Sequence, residues 1–289
     1  MGDSGAPQYA DPAEEARAKG EIFVQYHPIE AGRLITQHEI FKDAMKRIVF
    51  APVDLQKDDL QVMDSGTADG HWLVDLRQNT SGTNSSFVGA DSFTKMFPRP
   101  TPDGIELHLQ RADSPWPRSW LRRFDYVHQR LVLPGIQFMP LSDVVKNLCE
   151  LVKPGGWIEL LEQNHNSPRA GGLAKAEAMI CEMFTIQGTG HDYGLRMKGW
   201  LQDAGMEDIH EQVFDVPVGP LNPNPEMAEK SVEQVTNAIK GFIPIARGLP
   251  VTMPRAELDT LAEDTEREMR RVGAVQSIYI VYARKPLHA

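Results

Sequence analysis

Apolar positions along this chain follow two spacings that take turns. Short apolar runs at 60–64, 86–90, 105–109, 124–127 and 157–162 end in polar or small residues, as strands of a buried sheet do. Between them, the apolar Trp72, Leu73 and Val74 resume after a small-residue turn as a helix would, and 141–152 has the period of a helix face. Strand and helix in regular alternation predict a parallel sheet covered on both faces, an α/β fold. Further on, the pattern predicts helices at 171–187 and 195–205 around a glycine-broken connection at 186–194, and a sixth strand at 209–218. A proline-rich loop at 219–225, an amphipathic stretch at 231–246, a charged helix at 254–272 and an alternating last strand at 277–284 complete the chain. Upstream, Ile35, Ile40, Ala44 and Ile48 stand at helix-compatible spacing, so 19–50 is read as lid helices, and the polar residues 1–18 as a disordered tail.

The sharpest local feature is the passage from the first strand to the first helix, LQVMDSGTADGHWLVDL at 60–76. A buried strand that turns into a helix within so few residues needs small side chains, and it aims the first helical N–H groups at a ligand. The order is Asp64-x-Gly66-x-Ala68-x-Gly70 instead of Gly-x-Gly-x-x-Gly. A carboxylate just before the first glycine repels a pyrophosphate and suits the ammonium and sulfonium of a zwitterion, which favours S-adenosylmethionine over a dinucleotide. Asp91, at the end of the second strand, stands where a carboxylate takes both ribose hydroxyls; alternatively it caps the segment that follows.

Length and charge narrow the function. The 289 residues suit a single domain spanning 19–289: lid helices to residue 50, a cofactor-binding core at 60–215, an insert at 219–273 and the final strand. With 40 acidic against 30 basic residues the formal charge is −10, which argues against nucleic acid or an anionic membrane as partner. No apolar run reaches membrane-span length and the first twenty residues lack an apolar signal core, so a cytoplasmic location is expected. Cys149 and Cys181, the only cysteines, sit in helical apolar patterns without metal-ligand spacing; buried thiols and no metal are expected.

The segments VMDSGTADG, FVGAD, FDYVHQRLVLPG and LVKPGGWIELLEQ, in this order and spacing, resemble class I S-adenosylmethionine-dependent methyltransferases. The variant is similar to the fungal secondary-metabolism branch that includes the global regulator of secondary-metabolite clusters. Tyr26-His27-Pro28-Ile29-Glu30, Arg33-Leu34 and Gln37-His38 match that branch's N-terminal pattern. The resemblance implies a Rossmann-like seven-stranded sheet whose last strand runs antiparallel beside the sixth. It places Asp64, Gly66, Gly70 and His128 about the methionine half of S-adenosylmethionine, Asp91 on the ribose, and Ala112 and Asp113 beside the adenine, with Tyr26 and Ser65 also among the cofactor-binding residues. S-adenosylhomocysteine would be the product. Two positions depart from the family: Ala68 stands where glycine is usual, and Gln110-Arg111 where a carboxylate bonds the adenine amino group. Alanine at 68 is tolerated if its φ stays negative.

The reaction so implied is methyl transfer to oxygen, nitrogen or sulfur of a hydrophobic small molecule. His165 and His191 are the candidate bases, and Phe242, Ile243, Ile245 and Met253 are candidate walls of an enclosed acceptor pocket. Other readings are a regulator that binds the cofactor and acts through a protein partner, or a cyclase that transfers no methyl. An enclosed cavity reaching the sulfonium favours chemistry; a plugged surface favours regulation. Asp91→Ala is expected to weaken S-adenosylmethionine binding by more than about 1 kcal/mol, the size of a lost hydrogen bond to a charged group. Unchanged affinity by calorimetry would take Asp91 off the ribose.

Overall fold

The computed structural model describes residues 28–136, 138–166 and 172–288. Tyr26 and the tail at 1–18 lie outside them. Val62 and Met63, completely buried, belong to β1 (Gln61–Ser65), an inner strand of a seven-stranded sheet. The sheet order is β3-β2-β1-β4-β5-β7-β6, with β2 Ser86–Asp91, β3 Ile105–Leu109, β4 Phe124–Arg130, β5 Val152–Gln163, β6 Glu207–Val218 and β7 Ala274–Arg284. The first five strands are parallel, whereas β7 runs antiparallel between β5 and β6. The order reverses between β1 and β4, and at such a switch point the strand ends splay open toward ligand.

Helices α1 (Pro28–Met45), α2 (His71–Gln78), α3 (Leu141–Leu151), α4 (Ala174–Ile186), α5 (Tyr193–Asp203), α6 (Pro225–Gly248) and α7 (Arg255–Val272) cover the sheet. Helix α2 begins at His71 because Gly70, at φ 77°, takes the left-handed turn out of the strand; it buries Trp72, Leu73 and Leu76. Helix α1 lays Ile40, Phe41 and Met45 against Leu161, Val216, Ile278 and Ile280. It is tied laterally by Lys42 to Asp75 of α2, at 2.7 Å, and by Glu39 to Lys230 of α6, at 2.8 Å. No described helix is long and apolar enough to cross a membrane.

Several boundaries differ from the sequence reading, two of them with an evident cause. The segment Lys153-Pro154-Gly155-Gly156 belongs to β5 instead of breaking the chain before it. The end of β7 continues the pairing there, with Gly155 N–H on Lys285 O at 2.8 Å and Lys285 N–H on Gly156 O at 2.9 Å. Helix α6 starts at Pro225, six residues before the amphipathic pattern, because Asn224 accepts from Glu226 N–H at 3.1 Å and Pro225 is preset for a first helical turn.

Behind the ligand-facing edge, Asp125 on β4 accepts from Lys57 at 2.5 Å, Lys153 at 2.9 Å and Gln61 N–H at 2.8 Å. Burial pushes its pKa up, but these bonds outweigh it and hold the carboxyl below its ordinary 3.8. A depressed folded-state pKa stabilises above the unfolded value and is lost as pH falls through the folded one. Asp125→Asn should therefore cost roughly 1–2 kcal/mol at neutral pH, discounted for the half-exposed lysines, and flatten the stability profile below about pH 4 in denaturant titrations.

Candidate active site

A cavity of about 350 Å³ opens at the C-terminal ends of the parallel strands and is roofed by α1, α4 and α6. One end is the turn after β1. Gly66 and Thr67 donate their N–H groups to Ala90 O, at 2.8 and 3.1 Å, which ties the turn to β2. Gly66 has φ 71°, and a Cβ there would stand 2.2 Å from Val132 Cγ2, so the turn after β4 packs directly onto it. Glu162 holds that second turn by accepting from Val132 and Leu133 N–H, both at 2.9 Å, and burial pushes its pKa up to about 8. Asp91 lines the cavity while its carboxylate accepts from Ala68 N–H at 2.9 Å and Phe93 N–H at 2.8 Å; burial raises its pKa. The capping contact is thus present, and each carboxylate oxygen keeps a second lone pair.

Ala68 departs from expectation. Its φ is +51°, so the alanine sits in the left-handed region where glycine is favoured. The turn keeps this conformation because Asp91 grips the Ala68 N–H.

Beneath the turn, His128 Nδ1 lies 2.8 Å from Asp64 Oδ1, and the His128 ring stacks on Trp72 at 3.8 Å between centroids. His128 and Asp64 line the cavity; Ser65 and Gly70 do not. Ser65 instead donates to Gln129 Oε1 at 2.9 Å, and Gly70 shapes the helix start. Ala112 and Asp113 line the opposite side. There Arg111, in the place of the family's carboxylate, forks onto Asp113 at 2.8 and 3.1 Å. The Gln110 amide donates to the carbonyls of Arg111 and Pro115, which turns its own carbonyl to acceptor duty.

The other end of the cavity is apolar, walled by Ile180 and Phe184 of α4 and by Val235, Ala238, Ile239 and Phe242 of α6. Of the expected wall residues only Phe242 faces it; Ile243, Ile245 and Met253 pack into the core. His165, just past β5, enters this end and is bonded on both ring nitrogens, Nδ1 by Glu177 of α4 and Nε2 by Tyr193 Oη at 2.7 Å. The donor atoms of His165, Glu177 and Cys181 also lie within 4.8 Å of one another. Both ring nitrogens of His165 are thus engaged within the protein. His191 stands outside the cavity, its Nδ1 3.4 Å from Thr185 Oγ1.

The sequence reading missed Glu177 and Tyr193, whose partner is twelve or more residues away. It also gave no role to Arg33, Gln37, His38 and Arg130, which line the cofactor end. The Arg33 and Gln37-His38 spacing on α1 carried that signal.

A seven-stranded sheet with one antiparallel strand and a ligand turn after β1 defines a class I S-adenosylmethionine-dependent methyltransferase. A family model described as a methyltransferase domain matches residues 36–211, and the chain belongs to this family. It is 34% identical to the N-methyltransferase sirN of Leptosphaeria maculans, over 93% of this chain and 96% of that one. It is 30% identical to the N-methyltransferase gliN of Aspergillus fumigatus, over 91% and 96%. Among solved structures, Haemonchus contortus phosphoethanolamine N-methyltransferase 2 with S-adenosyl-L-methionine shares the fold. The TM-score is 0.55 at 14% identity, over 97% of this chain and 61% of that one.

The residues present fit the cofactor. Thr67 Oγ1 and His128 Nε2 are buried on the cavity without a protein partner, the condition of groups shaped for a polar ligand. Ala68→Gly should relieve the left-handed strain and raise stability by roughly 1 kcal/mol. A thermal melt that falls or stays level would show that the turn needs the methyl group.

Proposed function

We propose that this methyltransferase acts on a nitrogen of an apolar small molecule of the secondary-metabolite kind. The observation that carries the reading is the continuity of one cavity from the Asp64–Asp91 turn to the apolar wall of α4 and α6, where His165 enters it. A cavity of about 350 Å³ is of the size that buries a small molecule. The two fungal relatives named as N-methyltransferases support nitrogen as the acceptor atom.

S-adenosylmethionine, when bound, supplies an electrophilic methyl on a sulfonium. The chain aligns the acceptor against it and excludes water. The Glu177 carboxylate accepts from His165 Nδ1–H, which leaves Nε2 as the basic lone pair facing the Tyr193 hydroxyl. Tyr193 Oη takes the proton released by the acceptor nitrogen as its own proton passes to His165 Nε2. The pair thus carries the proton away from the reacting atom while the carboxylate steadies the imidazolium.

Replacing His165 by Ala, or Tyr193 by Phe, is expected to lower kcat by roughly 10²- to 10⁴-fold with S-adenosylhomocysteine affinity unchanged. The check is methyl transfer from labelled S-adenosylmethionine to a panel of apolar nitrogen heterocycles, phenols and thiols. Labelling confined to phenols or thiols would overturn the choice of nitrogen.

A further inference from the structure

Three arginines line the cavity, and two are already neutralised. Arg33 forks onto Glu30 at 2.8 and 2.6 Å, and Arg111 onto Asp113. Arg130, the last residue of β4, is different. Among the described residues no carboxylate stands within ion-pair distance of it; its neighbours are His38 Nδ1, 3.4 Å from Nη1, and the Phe41 ring, 5.7 Å from Cζ. Asp64 and Asp69 act on its charge only from beyond contact distance; a guanidinium withdrawn from water without a contact anion is costly, and the planar fork that Arg130 presents is complementary to a carboxylate.

The charge next to it is set up for a zwitterion. Asp64, paired in register with His128 two residues before Arg130, offers negative charge to an ammonium on the same cavity surface. Arg130 offers the matching positive charge. Its aim is fixed from α1. His38 Nε2 lies 2.8 Å from Asp75 Oδ2, so the ionised carboxylate takes the Nε2–H and leaves Nδ1 as an acceptor for the guanidinium. Burial, with the Arg130 charge adding to it, lowers the His38 pKa to about 4, which keeps the ring neutral and this tautomer in place.

We propose that Arg130 receives the carboxylate of the cofactor's amino-acid half, and that His38 positions it, so that cofactor loading and the seating of α1 are coupled through one contact.

The test uses the full chain and two ligands: S-adenosylhomocysteine, and its decarboxylated analogue 5′-(3-aminopropylthio)-5′-deoxyadenosine, which keeps the adenosine, sulfur and amine. Binding of S-adenosylhomocysteine to the unaltered chain checks the cofactor itself, separately from Arg130. In Arg130→Met, S-adenosylhomocysteine affinity should fall roughly 10- to 100-fold while the analogue stays within about twofold. Arg130→Lys, a milder change for folding, should lose part of the same preference. His38→Ala should weaken S-adenosylhomocysteine selectively and raise hydrogen exchange along residues 28–45 in the bound state. Equal losses for both ligands, or an unchanged preference in both Arg130 variants, would overturn the assignment.

Discussion

Asp91 accepts hydrogen bonds from two backbone N–H groups, one in the turn after β1 and one in the segment after β2, and so fixes two cavity walls with a single carboxylate. The same device recurs twice behind it. Glu162 holds consecutive N–H groups of the turn after β4, and Glu159 accepts from Phe50 and Ala51 N–H, at 2.8 and 2.7 Å, to hold the passage from α1 toward β1. Each acid is desolvated, and burial raises each pKa. Irregular backbone beside a ligand cannot satisfy its own N–H groups, and here side chains from neighbouring strands do it. Walls built this way are stiff before the ligand arrives, which is what alignment of a displacement reaction asks of them.

The cofactor half was legible because it is local. Strand, turn, helix and the carboxylate at the end of the next strand occupy one stretch of chain, 60–91, and the residue types announce the geometry. The sign of φ at Ala68 was not legible. It depends on a hydrogen bond to Asp91, on another strand, and alanine by itself argues for the opposite sign.

The acceptor half was harder to read for the same reason turned round. His165 was visible as a histidine past a strand end, whereas Glu177 and Tyr193 come from two different helices and meet it only in three dimensions. Periodicity placed Ile243 and Ile245 on an apolar face without saying which side of α6 meets the sheet and which meets the cavity. His191 belonged to a glycine-rich connection that looked able to close over the site; the chain there turns outward. At α6 the capping residues Asn224 and Pro225 outweighed the amphipathic pattern, and they were readable signals passed over.

The insert at 219–273 leaves the sheet at Val218 and returns at Ala274, and these two residues are register partners on adjacent antiparallel strands. Topologically it is a hairpin loop grown large enough to contain two helices. Loop-closure cost rises only slowly with length, so material can be added or removed there without disturbing the register of the strands beneath. Because α6 supplies much of the apolar wall while the cofactor turn belongs to other strands, the fold separates a fixed half from an exchangeable one. Descendants of one ancestor can in this way take up new acceptors by remodelling a single closed excursion of the chain.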